Sequence, residues 1–260
     1  VTNQVGDSLE SFALETRPKQ KGFRYIWKDA NLYFRIIQPM GKRPILMSQS
    51  PGYQDPFEGP IRRVLFKNGK YRQGRKLNTP DVYGTHFILY GLTQQDLNGN
   101  GITETIVLDN KYHLRVYSSN GRLVVKSSDY YGHDPRLIDV GVREDIAGVV
   151  RQGDPVRFKG RLQFVKFAGK RFLVLPRNYN AGGGFLDNLV IVESSGLVAL
   201  RVTGEGFEKA FESSKQKGFL GTYRVIPHKK GADVYVLRID KGFLTKNTYS
   251  TLSAYEWAGE

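Results

Sequence analysis

One pattern recurs along this chain: an apolar strand, a turn containing glycine, and a second apolar strand. Four copies align, at residues 32–47, 87–108, 162–175 and 222–237. The turn glycines lie roughly sixty residues apart, at Gly41, Gly101, Gly169 and Gly231. A repeat of this length restricts the chain to architectures that stack similar units side by side.

A second hairpin follows the first in three of the copies, at residues 63–73, 114–125 and 197–211. The pairs Asn68-Gly69 and Asn120-Gly121 favour two-residue hairpin turns. Two hairpins give four antiparallel strands, and such a sheet buries both faces only between neighbouring copies. We therefore predict an all-β fold: a β-propeller of about four recognisable four-stranded blades, either complete in itself or part of a larger propeller.

The pattern also sets the expected domain limits. The blades are predicted over residues 30–80, 81–133, 158–218 and 219–257, after an N-terminal extension over residues 1–22. The fourth copy has room for only three strands, so strand 23–29 is expected to supply its outer strand and close a propeller spanning 23–257. Residues 134–157 and 178–188 are expected to be rim loops, and a short helix is expected within residues 9–15.

Composition agrees with this fold class and excludes several kinds of chemistry. Aromatic residues make up 12% of the chain and there are 29 glycines, which favours strands joined by tight turns. Cysteine is absent, which excludes disulfides, thiolate metal sites and cysteine nucleophiles. No apolar run approaches the length of a membrane-spanning helix, so no transmembrane segment is predicted.

Residues 96–104 read DLNGNGITE and carry oxygen groups at alternate places. Side-chain oxygens stand at places one, three, five and nine, and a backbone carbonyl at place seven completes the set: Asp96, Asn98, Asn100, Glu104 and Ile102. Calcium takes six to eight oxygen ligands, and alternate residues of a curled loop can face one ion. Glycine at two further places permits the curl. The pattern predicts one Ca²⁺ site, with a polar turn that binds nothing as the alternative.

An EF-hand is excluded because its loop needs a glutamate at the twelfth place, where this chain has Val107 within an apolar run. Instead, the order strand, D-x-[DN]-x-[DN]-G-x-x-[DE], strand, followed by LRVYSSNGRLVVKS, resembles the FG-GAP/VCBS repeat of integrin α-subunit propellers and their bacterial relatives. Only residues 87–128 carry the specific motif. The resemblance implies a calcium ion between the first two strands of this blade, bracing the hairpin without taking part in catalysis.

The matching loops of the other copies read QPMGKRP, FAGKRF and PHKKGAD, so basic residues replace the acidic ligands there. Those blades are expected to hold no calcium, and a lysine in such a loop could supply the charge of the missing ion.

The hairpin IRRVLFKNGKYRQGRKL carries seven basic residues and no acidic one: Arg62, Arg63, Lys67, Lys70, Arg72, Arg75 and Lys76. The whole chain has a formal net charge of +14. One interpretation is a binding surface for anionic polysaccharide, lipid headgroups or an acidic protein. The other is a solvated blade edge, where charge prevents pairing with another chain. No nucleic-acid recognition signature is present, so nucleic acid is not an expected partner.

These patterns lead us to expect a non-catalytic calcium-binding scaffold. No nucleophile motif or phosphate-binding glycine loop occurs, so enzymatic activity is not predicted. The expected location is extracytoplasmic, meaning periplasmic, outer-membrane-associated or secreted, and the expected partner is another protein of the cell envelope or extracellular space. A carbohydrate- or anionic-polymer-binding propeller and a subunit of a larger envelope assembly remain the alternatives.

Overall fold

A computed structural model shows a chain built almost entirely from antiparallel strands. It describes residues 4–5, 8–17, 22–52, 56–78, 87–132, 134–138, 142–144, 150–152, 156–180, 192–203, 206–229, 231–241 and 248–258. A single turn of 3₁₀ helix covers Leu89–Gly91, and within these ranges there is no α-helix.

Twenty-four strands are defined in this part of the chain. The first twelve are β1 (Gln4–Val5), β2 (Ser8–Leu9), β3 (Ser11–Arg17), β4 (Gly22–Ala30), β5 (Tyr33–Ile37), β6 (Ile45–Gln49), β7 (Ile61–Lys67), β8 (Lys70–Lys76), β9 (Leu92–Gln95), β10 (Glu104–Leu108), β11 (His113–Tyr117) and β12 (Leu123–Tyr130). The remaining twelve are β13 (Leu137–Ile138), β14 (Val142–Glu144), β15 (Val150–Gln152), β16 (Val156–Arg157), β17 (Gln163–Phe167), β18 (Lys170–Asn180), β19 (Val192–Val202), β20 (Phe207–Glu212), β21 (Gln216–Lys217), β22 (Phe219–His228), β23 (Gly231–Lys241) and β24 (Thr248–Ala258).

The chain divides into two compact units. Unit 1 comprises residues 1–38, 43–89 and 137–156. It contains the first four-stranded sheet, in the order β5-β6-β7-β8, together with the hairpins β3-β4 and β14-β15. The outer strand of its sheet is β8, which leaves one edge of β8 without a strand partner in the described residues.

Unit 2 comprises residues 39–42, 90–136 and 157–260. It holds the second sheet (β9 to β12), the third (β17 to β20, with β21 paired to β19) and the fourth (β22 to β24). All neighbouring strands in these sheets are antiparallel. The predicted fold class is confirmed: the chain is all-β, and its four small antiparallel sheets are the blades of a β-propeller.

Strands β17, β18 and β19 of the third sheet are buried on both faces, because their alternate residues enter two different cores. One core lies toward the second sheet and takes Phe164, Leu173, Leu175, Val198 and Leu200. The other lies toward the fourth sheet and takes Val165, Phe172, Val174, Leu197 and Ala199. This explains why β18 and β19 contain nearly continuous apolar runs, whereas the outer strand β20 is mostly exposed.

Of the two Asn-Gly turns, one is as predicted and one is longer. Lys67 pairs with Lys70, so Asn68 and Gly69 form a two-residue turn, both with positive φ (54° and 74°). The Asn120-Gly121 hairpin instead closes between Ser118 and Arg122, whose backbone N–H and C=O are hydrogen-bonded at 2.9 Å. Its loop therefore has three residues, with an additional hydrogen bond within the turn.

The N-terminal segment differs from the prediction in two ways. The helix expected within residues 9–15 is wrong, because Ser11–Arg17 is strand β3. Strand 23–29 does form, as β4, but it pairs with β3 rather than with the fourth sheet, which has three strands in the described part of the chain. A hairpin closed by four intervening residues loses less chain entropy than pairing with a distant sheet, which favours the local partner.

The two segments predicted as rim loops are only partly described. Between residues 134 and 157 the structure has four short strands, β13 to β16, rather than continuous loop. Residues 178–180 belong to the end of β18, and residues 181–188 lie outside the described residues.

Unit 2 contains a buried lysine. Lys159 is 6% exposed, donates a hydrogen bond from Nζ to the Asp109 carbonyl at 3.0 Å, and lies 4.5 Å from the centre of the Tyr112 ring. Burial lowers its pKa to about 8; the charge of Asp109 opposes this shift, and Arg157 adds to it. The positive charge of Lys159 therefore opposes folding at neutral pH.

We expect Lys159→Met to change how stability depends on pH. Native Lys159 loses its proton near pH 8, whereas an unfolded lysine does so near 10.5. At this residue the unfolded chain thus binds more protons between these values, so the wild-type free energy of unfolding should rise with pH there by about 3 kcal/mol relative to that of the methionine variant. Urea unfolding of both proteins near pH 7 and near pH 10.5 measures this rise. Equal pH dependence in the two proteins would contradict it.

Candidate functional site

The DLNGNG motif forms a loop between the first two strands of the second sheet. Loop 96–103 joins β9 to β10, and every residue of both strands is buried. Val107, at the twelfth place of the motif, lies inside β10 and is 1% exposed. Strands on both sides exclude the helix–loop–helix geometry of an EF-hand, as predicted.

Asp96 organises the loop through backbone hydrogen bonds. Its Oδ1 accepts from the Gly99 N–H at 2.7 Å, and its Oδ2 accepts from the Gly101 N–H at 2.8 Å. Both glycines have positive φ, 80° and 85°, which turns their N–H groups inward. Desolvation opposes ionisation, but the Gly101 and Gly99 amides and the nearby Lys42 charge hold the pKa of Asp96 below its usual value. The carboxylate is therefore ionised at neutral pH.

The two asparagines continue the same pattern. Asn98 Oδ1 accepts from the Asn100 N–H at 3.1 Å, and Asn100 Oδ1 accepts from the Ile102 N–H at 2.8 Å. A carboxylate oxygen or amide oxygen that accepts one N–H keeps a second lone pair. The loop thus fixes oxygens on three alternate residues while each can still bind another donor or a cation.

Glu104 and Ile102 complete the predicted set. Glu104 begins β10, is 8% exposed, and accepts from the Leu97 N–H through Oε2 at 2.9 Å. Burying a carboxylate costs more free energy than a hydrogen bond from one backbone amide recovers. Ile102 is 52% exposed, so its predicted contribution is limited to its backbone carbonyl. The structure therefore brings all five predicted residues to one loop and its closing strand.

Two basic side chains that were not predicted as part of the site contact this loop. Lys42 Nζ donates to the Gly101 carbonyl at 3.2 Å. Arg171 donates to the Asp96 carbonyl at 2.9 Å and to the Leu97 carbonyl at 2.6 Å. They come from QPMGKRP and FAGKRF, the loops of the first and third copies in which basic residues replace acidic ones. The alignment of the repeats contained this signal, but gave no indication that they reach the second blade.

The chemistry of the donors selects among metals. The five groups are all oxygens, two of them from carboxylates, which suits a hard cation such as calcium and not zinc. In the described part of the chain, no group of three or more His, Cys, Asp or Glu side chains could hold a metal ion. A cation here would depend on amide and carbonyl oxygens beside Asp96 and Glu104. The residues fit calcium by donor type, with a low ligand charge.

The basic hairpin, β7 and β8, lies at an open sheet edge in unit 1. Six of its seven basic side chains are exposed and Arg62 is half-buried. None of the seven forms an ion pair within the described residues. Leu65 and Phe66 are also exposed, at 53% and 56%. The hairpin thus presents both positive charge and apolar surface to solvent.

Comparisons with known proteins give no further assignment. No protein-family model matches the chain, and no curated protein matches it. The resemblance to FG-GAP/VCBS repeats therefore stays a prediction based on residues 87–128. Within the described ranges, the structure contains no helix that is both long and apolar enough to span a bilayer.

Proposed function

We propose that this chain is a non-catalytic β-propeller that binds one calcium ion at loop 96–103 and acts outside the cytoplasm as an interaction scaffold for another protein of the cell envelope or extracellular space. The ion would brace the hairpin between β9 and β10. The exposed loops and edges of the blades would then contact the partner.

The observation that carries the proposal is the alternating arrangement of oxygens on a preorganised loop. Asp96, Asn98 and Asn100 each hold a backbone N–H with an oxygen that retains a free lone pair. Glu104 adds a buried carboxylate at the base of the loop. Three aligned oxygens and a buried carboxylate beside them favour a cation site over a polar turn that binds nothing.

The charge of the site favours a location rich in calcium. Two carboxylates and two amides form a weakly charged ligand set, and Lys42 lies 3.2 Å from one carbonyl of the loop. Sites of low ligand charge bind calcium at about 10⁻⁴–10⁻³ M, which is the range of extracellular modules. This supports the extracytoplasmic assignment.

Thermal unfolding tests whether calcium binds the folded state. We expect calcium at about one hundred times its dissociation constant to stabilise the chain by about 2.7 kcal/mol. For a chain of this size, that free energy raises the melting temperature by roughly 5–10 °C. Magnesium at the same concentration should have less effect, because it gives up its water shell reluctantly. Identical melting curves in calcium and in chelator would refute the site.

A second candidate function, binding of an anionic polymer, is favoured by the basic hairpin. Its side chains are exposed, lack acidic partners among the described residues and lie beside exposed Leu65 and Phe66. Such a surface attracts polyanions through long-range electrostatics that salt weakens.

We expect replacement of three basic residues of the hairpin to abolish retention on heparin at about 0.15 M ionic strength. The variant carries serine at Lys67, Lys70 and Arg72, which lie around the turn and are all exposed. Removing three neighbouring charges should lower the local potential without unfolding an exposed edge. The measurement is the salt concentration at which each protein elutes.

A matched control removes the same amount of charge elsewhere. It carries serine at three exposed lysines of unit 2: Lys111, Lys126 and Lys166. The control should elute close to the wild type. If both triple variants eluted together, retention would reflect net charge alone and the hairpin would be a solvated edge.

A further inference from the structure

A cavity of about 490 Å³ lies between the third and fourth sheets of unit 2. Small-molecule sites have volumes of about 300–1,000 Å³ and combine an apolar lining with a few polar groups. This cavity has both kinds of lining, and it is separate from loop 96–103 and from the basic hairpin.

One end of the cavity is aromatic. Trp257 of β24 packs edge-on against Phe167 and Phe172, with ring centres 4.5 Å and 5.2 Å apart. Phe211 of β20 stacks on the same indole at 5.6 Å and is 43% exposed. These rings form an apolar wall that reaches the surface.

The other end holds a buried cation. Arg238 of β23 is 7% exposed, and its NH1 donates to the Tyr255 hydroxyl at 3.0 Å. That hydroxyl in turn donates to Gln216 Oε1 at 3.1 Å. Arg238 Nε has no hydrogen-bond partner, and no carboxylate of the described residues forms an ion pair with this guanidinium. Burying a guanidinium with an unpaired N–H donor lowers the stability of the fold unless an anion accepts that hydrogen bond.

The lining between the two ends suggests the chemistry of a ligand. The Arg238 guanidinium lies 5.7 Å from the centre of the Tyr255 ring, and Tyr255 precedes Trp257 by two residues on β24. Val234 and Val236 line the cavity on one side and Val174 on the other, and the charged Lys170, Arg201 and Glu256 also belong to its lining. A ligand that filled this space would be apolar over much of its surface and negatively charged at one end.

We propose that this cavity binds an aliphatic carboxylate. Its carboxylate accepts hydrogen bonds from the Arg238 guanidinium, and its chain lies along the valines toward Phe167 and Trp257. The valines on both sides of the cavity favour an alkyl chain over an aromatic acid.

Tryptophan fluorescence provides a direct test. The chain has only two tryptophans, so Trp27→Phe leaves Trp257 as the sole indole. Dodecanoate, titrated below its micellar concentration, should change the Trp257 emission saturably with one ligand per chain. Dodecanol and dodecylammonium should bind at least about tenfold more weakly, because they lack the charge that pairs with arginine.

Two variants in the same background localise the interaction. Arg238→Met keeps the apolar stem and should weaken dodecanoate binding at least about tenfold while leaving dodecanol within about twofold. Ala210→Phe fills the cavity from an exposed lining position and should weaken both ligands. If Arg238→Met fails to fold, the three-ligand comparison on the parent protein decides the matter. No saturable response to dodecanoate, or equal binding of the alcohol or amine, would overturn the proposal.

Discussion

Replacing Gln49 by leucine is expected to lower the free energy of unfolding by about 4 kcal/mol or more. Gln49, on β6, is 1% exposed. Its Nε2 donates to the carbonyls of Phe57 at 2.5 Å, Gly59 at 3.1 Å and Phe87 at 2.8 Å, and its Oε1 accepts from the Leu89 N–H at 2.9 Å. Leucine has a similar size but would remove these four hydrogen bonds, three of which are buried, at about 1–3 kcal/mol for each polar group that neither water nor another group then satisfies.

Urea unfolding measures this loss, and a second glutamine provides the control. Gln38 follows β5 in unit 1 and its side chain is exposed. Gln38→Leu should change the free energy of unfolding by no more than about 0.5 kcal/mol. Equal effects of the two substitutions would show that the Gln49 hydrogen bonds do not support unit 1.

Asp96→Ala is expected to reduce calcium affinity at least about 100-fold. The substitution removes a ligating carboxylate and also frees the Gly99 and Gly101 amides that it holds in place. Loss of a charged ligand together with loop order should leave no measurable heat of calcium binding at millimolar concentration. Calorimetric titration of both proteins checks this, with one ion per chain expected for the wild type.

Two further variants separate ligand loss from a general charge effect. Glu208→Ala removes an exposed carboxylate that pairs with Arg201 rather than with a residue of the loop, and should leave calcium affinity unchanged. Lys42→Met removes the ammonium beside Gly101 and should strengthen calcium binding, because a competing positive charge is lost. Calcium affinity unaffected by Asp96→Ala would contradict the assignment of these ligands.

The sequence was sufficient to predict the elements that depend on local patterns. Alternating apolar residues on both sides of Gly41, Gly101 and Gly169 predicted the hairpins that open the first three sheets. The Asn68-Gly69 pair correctly predicted a two-residue turn. The oxygens of the DLNGNG segment lie on one loop because their spacing matches the curl that their own side-chain hydrogen bonds hold.

Features that depend on contacts between residues distant in sequence could not be predicted from local sequence patterns. Ser11–Arg17 lacks a clear alternation of apolar and polar residues, and it forms a strand because it pairs with β4. Arg171 lies 75 residues from Asp96 in the chain, so its contact with the loop depends on how the second and third sheets pack. The cavity likewise exists only where the third and fourth sheets face each other, and no local pattern marks Arg238 as buried.

A crystal structure grown in millimolar calcium tests the central claim most directly. We expect density for a single cation at about 2.3–2.6 Å from oxygens of Asp96, Asn98 and Asn100, with the Ile102 carbonyl and Glu104 completing the site. The same crystals soaked in a lanthanide should give one anomalous peak at that position. A loop that holds only water in both crystals, with its hydrogen bonds unchanged, would contradict the account.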